Sequence, residues 1–492
     1  MKQNIQAIVL AAGKSTRLKT GRSKLIEEIC GQPMIVFSTK LLKSLNIPTT
    51  VVVGHQKELI ASTLKTYKQQ ADFVTQDAKS KGTGHALLCT KEQWNKEHIL
   101  VLNGDMPLIT SEIIQSLYTK HIESHAAISF VMAHNADPTT SYGRVVKTDS
   151  AIKIVEAKEF NEDTSEHCCI NAGIYLIKRD FLEEHSTSLK QNAVSSEYHI
   201  TDLVAIASEN NYTVSTTIAP FDHIRGVNNQ HELWAAEQIQ RSNIIKHWME
   251  NGVRFSVAHN VHIDLDVEIG AGTYIGCGVH ILYGSKIGNN CKIHEYSSLE
   301  GTVVGDNTEI MPFTIVKNAT VGNNCQVGPF AHIQEETIIE DSAIIGNFVE
   351  IKRSTIGSHS KAKHLSYIGD TEIGTSVNIG AGTITCNFDG KNKNKTVIKD
   401  NVFIGSNNTI VAPVTIEQNS FTAAGSTITK DIPCDTLAIE RGTQMNKIGY
   451  TKKLFKKKQT EPTYCKTTDT KKERTEFMGA VRTSNDPIEN DL

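Results

Sequence analysis

The sequence predicts two domains of different class. The first is an α/β domain built on a Rossmann-like, mainly parallel sheet; the second is a parallel β-helix of hexapeptide repeats. Three observations predict this. At 492 residues the chain exceeds what one hydrophobic core organises. Before residue 260, short apolar runs alternate with helical stretches. From about residue 263 to past 420, an aliphatic residue followed by glycine returns on a six-residue beat. Examples are Ile269-Gly270, Ile275-Gly276, Ile287-Gly288, Val321-Gly322, Val327-Gly328, Ile345-Gly346, Ile373-Gly374, Ile379-Gly380 and Ile404-Gly405.

Composition sets the class. Hydrophobic residues make up 39% and the net charge is −3, ordinary values for a soluble protein. The near-neutral balance argues against nucleic acid as the main partner. No run of about 18 apolar residues predicts a membrane span. Met1 to Ile5 is polar and leads straight into a strand, unlike a signal peptide, so a cytoplasmic protein is expected. The ten cysteines form no Cys-x-x-Cys pair and are expected as reduced thiols.

Gln6–Leu10 reads as a buried strand, and Ala11-Ala-Gly-Lys-Ser-Thr-Arg-Leu18 follows it. A small-residue loop after a strand lets backbone amides approach phosphates. The spacing is neither a Walker A loop nor Gly-x-Gly-x-x-Gly. Further strands are expected at Thr50–Val53, His98–Leu102 and Ile128–Met132. Asp105, in Asn103-Gly-Asp-Met-Pro107, closes an apolar strand where open α/β sheets place ligands. A hard carboxylate beside phosphates suits Mg²⁺. Lys81-Gly-Thr-Gly-His-Ala86 is a second glycine-rich loop. These elements make a first domain over 1–230.

Residues 231–250 contain no Gly or Pro and read as one helix, a linker holding the domains apart. In the β-helix, 251–450, the aliphatic residue points inward and a left-handed residue turns each corner. Three sides make a coil of about 18 residues, and coils stack at about 4.8 Å, giving roughly ten coils over some 50 Å. The beat slips near 299–303, 316–320 and 334–338. It stops at 382–396, which is expected as an ejected loop and so marks a binding face. The tail, 451–492, opens with a basic run, and residues 459–492 are expected to be disordered.

The repeat pattern resembles the left-handed hexapeptide-repeat acyltransferases. The chain as a whole, over about residues 5–450, resembles the bacterial bifunctional enzymes that make UDP-N-acetylglucosamine. These fuse an N-acetylglucosamine-1-phosphate uridyltransferase to a glucosamine-1-phosphate acetyltransferase. The Leu-Ala-Ala-Gly-Lys-x-Thr-Arg signature stands at Leu10 to Arg17, with Lys24 as the second basic residue. Gln76, Gly82-Thr83, Asn103-Gly104-Asp105, Tyr142-Gly143-Arg144, Ile154-Val-Glu156, Asn171-Ala-Gly-Ile174 and Gly226-Val-Asn228 follow in family order. The resemblance implies an α/β nucleotidyltransferase fold in which Leu10, Ala11, Ala12, Gly13, Gln76, Gly82 and Thr83 hold the nucleotide of UTP. Gly143, Glu156 and Asn171 would hold the sugar, with Asn103 and Gly104 beside them. Asp105 and Asn228 would ligate Mg²⁺, and Arg17 and Lys24 would neutralise phosphate charge.

In the second domain, Lys361-Ala-Lys-His-Leu-Ser-Tyr-Ile-Gly-Asp370 matches the family's acetyl-transfer segment. His364 is implied as general base, a role that suits histidine as a residue type. Lys352, Tyr367 and Asn378 would bind the sugar phosphate. Asn387 and Phe388 take the place of an Asn-Tyr pair. Ala381, Ser406, Ala424 and Arg441 would line the acetyl-CoA groove. Gln334 stands where the family places an arginine on that phosphate. Losing a charge-assisted contact is expected to cost on the order of 1–3 kcal/mol of binding. The resemblance also implies a homotrimer through the β-helix.

Overall fold

The structure, a computed structural model, describes residues 4–13, 16–19, 21–54, 56–77, 81–135, 142–147, 151–157, 159, 169–193 and 195–456. Lys14, Ser15 and the tail from 457 onward lie outside the described residues. Residues up to Arg441 form one compact unit.

The N-terminal sheet is laid down in the order β9-β5-β8-β4-β1-β2-β3. Its strands are β1 (Ile5–Ala11), β2 (Thr49–Val53), β3 (Asp72–Thr75), β4 (His98–Asn103), β5 (Ile128–His134), β8 (Cys169–Lys178) and β9 (Val214–Ile218). β1 pairs in parallel with β2 and β4, and β8 runs antiparallel to β4 and β5. A short hairpin of β6 (Arg144–Lys147) and β7 (Ile152–Val155) hangs from β8. β1 and β4 are apolar on both faces because helices cover both, as parallel strands require. Their carboxyl ends, Leu10–Ala11 and Asn103, therefore open side by side onto one edge.

Helix α1 (Gln230–Glu250) leads out of this domain. Asn229 caps it by accepting from the Glu232 N–H at 2.9 Å. The helix does not hold the domains apart. It buries Ala236, Ile244 and Ile245 in one apolar cluster with Ile29, Met34 and Leu108 on one side and Ile263 and Ile269 on the other. The Leu265 N–H donates directly to the Cys30 carbonyl at 3.1 Å.

The second domain is a three-sided parallel β-helix, its strands collected in a 19-stranded path and a nine-stranded sheet. Inward residues repeat six apart and are buried: Ile275, Ile281, Ile287, Ile293 and Leu299. Corners hold non-glycine residues at positive φ, Asn290, Asn307, Asn324, Asn401 and Asn419 among them. Two of the expected slips occur. From Leu299 to Val304 and from Val316 to Val321 the inward step is five residues, and all four side chains are buried. The third does not, because Ile333 and Ile339 keep the six-residue step and are fully buried. Only the glycine is missing there, replaced by Glu340. Two slips the glycine pattern hid lie at Ile351–Ile356 and Ile368–Ile373. The ejected loop is also shorter than expected. Ile384–Cys386 pairs with Thr409–Val411 as an ordinary coil strand, and Thr396–Ile398 resumes the prism, so the excursion is 387–395.

Candidate active sites

The first site opens where β1 and β4 end. Leu10, Ala11, Ala12, Gly13, Lys24, Gln76, Gly82, Thr83, Asn103 and Asp105 line a single cavity of about 490 Å³. Gly104 lies just behind: its N–H donates to the Leu10 carbonyl at 2.9 Å, locking the two strand ends together. Gly82 adopts φ +100°, and a Cβ there would stand 2.2 Å from the Tyr198 carbonyl oxygen, so only glycine fits. Gln76 spans the mouth, its Nε2 donating to the Gly82 carbonyl at 3.1 Å.

The cationic and oxygen groups converge at one end. Lys24 Nζ bridges the Asp105 carboxylate and Asn228 Oδ1, the latter at 2.7 Å. Arg17 also donates to Asn228 Oδ1, at 3.1 Å. The two oxygens implied as metal ligands thus already face cations at one point. Asn229, next in sequence, is committed to the helix cap, which leaves Asn228 as the ligand candidate. The Asn228 N–H donates to Glu232 at 2.6 Å, and Tyr142 accepts from the Gly226 N–H at 2.6 Å. Burial pushes the Tyr142 phenol up to about 12, keeping it neutral as it holds this loop. Among the described residues no cluster of three His, Cys, Asp or Glu side chains forms a metal cage. A carboxylate and an amide oxygen are hard donors of the kind Mg²⁺ takes when phosphates and water complete its shell.

Gly143, Glu156 and Asn171 gather beside this cavity without lining it. The Asn171 N–H donates to the Gly143 carbonyl at 2.9 Å, and Asn171 Nδ2 donates to the buried Tyr175 hydroxyl at 2.6 Å. Glu156 accepts from Thr201 at 2.8 Å and faces His199 at 4.0 Å. Lys81, at the start of the second glycine-rich loop, lines the cavity as well, and sequence reasoning missed Asp77, Glu197 and His199, which also line it. Asp77 adjoins a residue that was identified. Glu197 and His199 sit in an irregular stretch whose pattern gives no signal.

The second site lies on two neighbouring coils, β10 (Ile344–Lys352) and β11 (Lys361–Gly369), which pair Asn347 with His364 and Glu350 with Tyr367. His364 is exposed, and its Nδ1 meets Asn347 Oδ1 at 2.9 Å. An amide oxygen requires the ring proton on Nδ1, leaving Nε2 bare as the basic nitrogen. Asn387 is buried at the root of the ejected loop. Its Nδ2 donates to Asp370 at 2.5 Å and reaches the Tyr367 hydroxyl at 3.5 Å. Phe388 beside it is exposed, with Lys393 stacked over its ring at 4.6 Å. Lys352 pairs with Glu335 at 2.8 Å, and Gln334 donates to Glu350 at 2.5 Å. Asn378 pairs in register with Lys361, before the corner at Leu365, whereas Tyr367 comes after it. One chain therefore does not bring Asn378 together with Lys352 and Tyr367. Ala381, Ser406 and Ala424 stack on successive coils, joined through Asn407 and Gly425, whose N–H groups donate to the Ala381 and Ser406 carbonyls. Arg441 ends the stack, donating to the Ala424 carbonyl at 2.9 Å.

Comparisons agree with this division. Residues 7–170 match the MobA-like NTP transferase domain, 255–344 the GMPPB C-terminal domain, and 395–430 the bacterial transferase hexapeptide (six repeats). These matches describe the α/β domain and the left-handed β-helix of hexapeptide repeats. The bifunctional protein GlmU of Thermodesulfovibrio yellowstonii is 40% identical over 459 residues, covering 92% of this chain and all of that one. The GlmU proteins of Clostridium botulinum strain 657 and Streptococcus mutans are each 38% identical, covering 92% and 91% of this chain and 99% and 97% of theirs. The chain belongs to the family of bifunctional GlmU proteins, enzymes that join a nucleotidyltransferase to a hexapeptide-repeat transferase.

Proposed function

We infer that the chain makes UDP-N-acetylglucosamine in two steps, using acetyl-CoA in the β-helix and UTP in the α/β domain. The supporting observation is the presence of two separate groupings in one chain: the Lys24–Asp105–Asn228 constellation at the cavity mouth and the Asn347-oriented His364 on the prism.

In the first step the amine of glucosamine 1-phosphate attacks the thioester carbonyl carbon of acetyl-CoA. The C–N bond forms, the C–S bond breaks, and coenzyme A leaves as the thiol. His364 Nε2 takes the proton that the ammonium or the tetrahedral adduct must lose. Lys352, Tyr367, Asn378 and Asn387 hold the sugar phosphate, and Ala381, Ser406, Ala424 and Arg441 hold the coenzyme.

In the second step a phosphate oxygen of N-acetylglucosamine 1-phosphate attacks the α-phosphorus of UTP, and pyrophosphate departs. A phosphate dianion is already a nucleophile, so positioning and charge neutralisation carry the rate. Backbone amides around Ala12–Gly13 and Gly82 approach the nucleotide, and Glu156 and Asn171 orient the sugar. Arg17 and Lys24 meet the phosphates. Asp105 and Asn228 would hold Mg²⁺, which would supply charge neutralisation at the phosphates.

A homotrimer completes the picture. His364 and the coenzyme column lie open on the prism surface, and Asn378 sits around a corner from Tyr367, as expected if adjacent subunits close the site. Tyr296, Phe313, Phe330 and Phe348 stack on one exposed corner at centroid spacings of 5.4, 5.1 and 5.3 Å. This is an apolar stripe suited to a second copy.

A coupled assay tests the two steps. Glucosamine 1-phosphate, acetyl-CoA, UTP and Mg²⁺ should yield UDP-N-acetylglucosamine. His364→Ala should slow only acetyl transfer, by roughly 10²–10⁴-fold, and Asp105→Ala should block only uridylyl transfer. Normal acetylation by His364→Ala would remove His364 as the base.

A further inference from the structure

The corner that carries Gln334 is longer than the one above it. Between the inward residues Ile333 and Ile339 the chain spans 334–338; between Ile351 and Ile356 it spans 352–355, one residue fewer. Backbone bonds identify the surplus. The Gln334 N–H donates to the Ile351 carbonyl at 2.8 Å, so Gln334 lies level with Lys352. The Glu336 N–H follows the corner below, to Asn318 at 3.1 Å. Glu335 is the residue in excess. Its carboxylate turns upward onto Lys352 Nζ at 2.8 Å.

Lys352 and Arg353, the two cations of this corner, are thereby each engaged by the chain's own carboxylates. Arg353 is held bidentately by Asp370 at 2.7 and 2.9 Å, and Asn387 braces the same carboxylate. Gln334 brings no charge and is spent on Glu350. At the corner itself Lys352 and Arg353 thus face three carboxylates, Glu335, Glu350 and Asp370, with Lys393 over the Phe388 ring on the neighbouring loop. A dianionic phosphate ester reaches Lys352 or Arg353 only by displacing one of these carboxylates. The Arg353–Asp370 pair is forked and braced. The Lys352–Glu335 pair is a single contact between side chains 27% and 42% exposed, so it is the one that opens.

We propose that Glu335 is a specificity-determining residue of the acetyltransferase: an internal carboxylate that competes with the substrate's phosphate for Lys352. The inference rests on the reading that Lys352 receives that phosphate. On this reading an added competitor, as well as the arginine missing at 334, lowers the site's affinity for the phosphate.

Steady-state acetyl transfer by Glu335→Gln, with glucosamine 1-phosphate and with unphosphorylated glucosamine, tests it. Releasing one half-exposed pair should lower KM for the phosphorylated sugar about two- to fivefold. The kcat and the KM for glucosamine should stay unchanged. Lys352→Ala should raise KM for glucosamine 1-phosphate and abolish the benefit of Glu335→Gln in the double variant. An unchanged KM in Glu335→Gln, with KM raised in Lys352→Ala, overturns the competitor and leaves the role of Lys352 intact. An unchanged KM in Lys352→Ala overturns that role and the proposal with it. Uridylyl transfer, measured on every variant, reports that the chain has folded.

Discussion

His121 ties the stability of the α/β domain to pH. It is 1% exposed, its Nδ1 meets Ser129 at 2.7 Å, and its Nε2 meets His98 at 3.2 Å. Burial, aided by His98 and Lys178, pushes its pKa down to about 3, and burial lowers His98 as well. The folded chain therefore keeps His121 neutral while the unfolded chain protonates it near 6.5. The stability this lends is present above pH 6.5. As pH falls from there toward 3 it is lost at about 1.4 kcal/mol per unit. Thermal melts of the wild type should drop steeply between pH 6.5 and 4.5, and those of His121→Gln should drop less from a lower start. Parallel slopes would assign the acid sensitivity elsewhere. Gly82 is a second single-residue lever. With φ at +100° and the Tyr198 carbonyl in the way, Gly82→Ala must shift the loop that frames the nucleotide cavity. A displacement near 1 Å is worth roughly 100-fold in rate, so uridylyl transfer should fall by that order while acetyl transfer holds. At this scale the sequence was legible where a residue type has one use. A glycine-rich loop after a strand, or a carboxylate at a strand's end, announces itself. Glu197 and His199 reach the same cavity from an irregular segment, and no local pattern encodes which distant edge such a segment meets.

The repeating element was legible because each coil repeats one instruction: an aliphatic side chain inward, then a left-handed corner. The errors came from reading the glycine instead of the aliphatic. Ile333 and Ile339 stay in step without a glycine between them, whereas Ile368–Ile373 loses a residue although a glycine follows each isoleucine. Burial of the branched side chain fixes the register; the corner accepts Asn, Phe, Glu or Arg. The aromatic corner is the informative exception. Tyr296, Phe313, Phe330 and Phe348 all adopt φ between 54° and 58°, a conformation aromatic residues seldom take, and remain about half exposed. Stacking recovers about 0.5–1.5 kcal/mol per pair, comparable to the backbone cost, so the column yields little net stability within one chain. Its gain lies in being covered. If the proposed trimer forms on this corner, Phe313→Ser combined with Phe330→Ser should shift the sedimenting species from trimer toward monomer and reduce acetyl transfer, with uridylyl transfer retained. A trimer that survives both substitutions would put the subunit contact on another corner.

Across the whole molecule the two halves share more than a tether. The apolar cluster of the prism continues through α1 to Ile29, Met34, Leu108 and Val227. Burying each large side chain of this kind is worth about 1.5–3 kcal/mol. The helix also braces the Asn228 loop of the proposed uridylyl site. Glu232, on its first turn, accepts from the N–H of Asn228, and Gln230 reaches back to the Leu18 carbonyl at 3.4 Å. The sequence showed the helix as an uninterrupted stretch, but its contacts with the first domain reach as far back as Leu18, 212 positions from Gln230, which periodicity does not report. A fragment 1–229 loses Glu232 and Gln230 and uncovers part of the cluster. It should melt well below the intact chain and turn over UTP with a raised apparent KM for Mg²⁺, because the Asn228 loop has lost its anchor. A fragment 1–333, which keeps α1 and the first coils, should recover both properties while lacking acetyl transfer. Glu232→Ala in the full chain separates the two causes. It should raise the Mg²⁺ requirement with little change in melting temperature if the helix acts through Asn228, and leave that requirement unchanged if only the buried cluster matters.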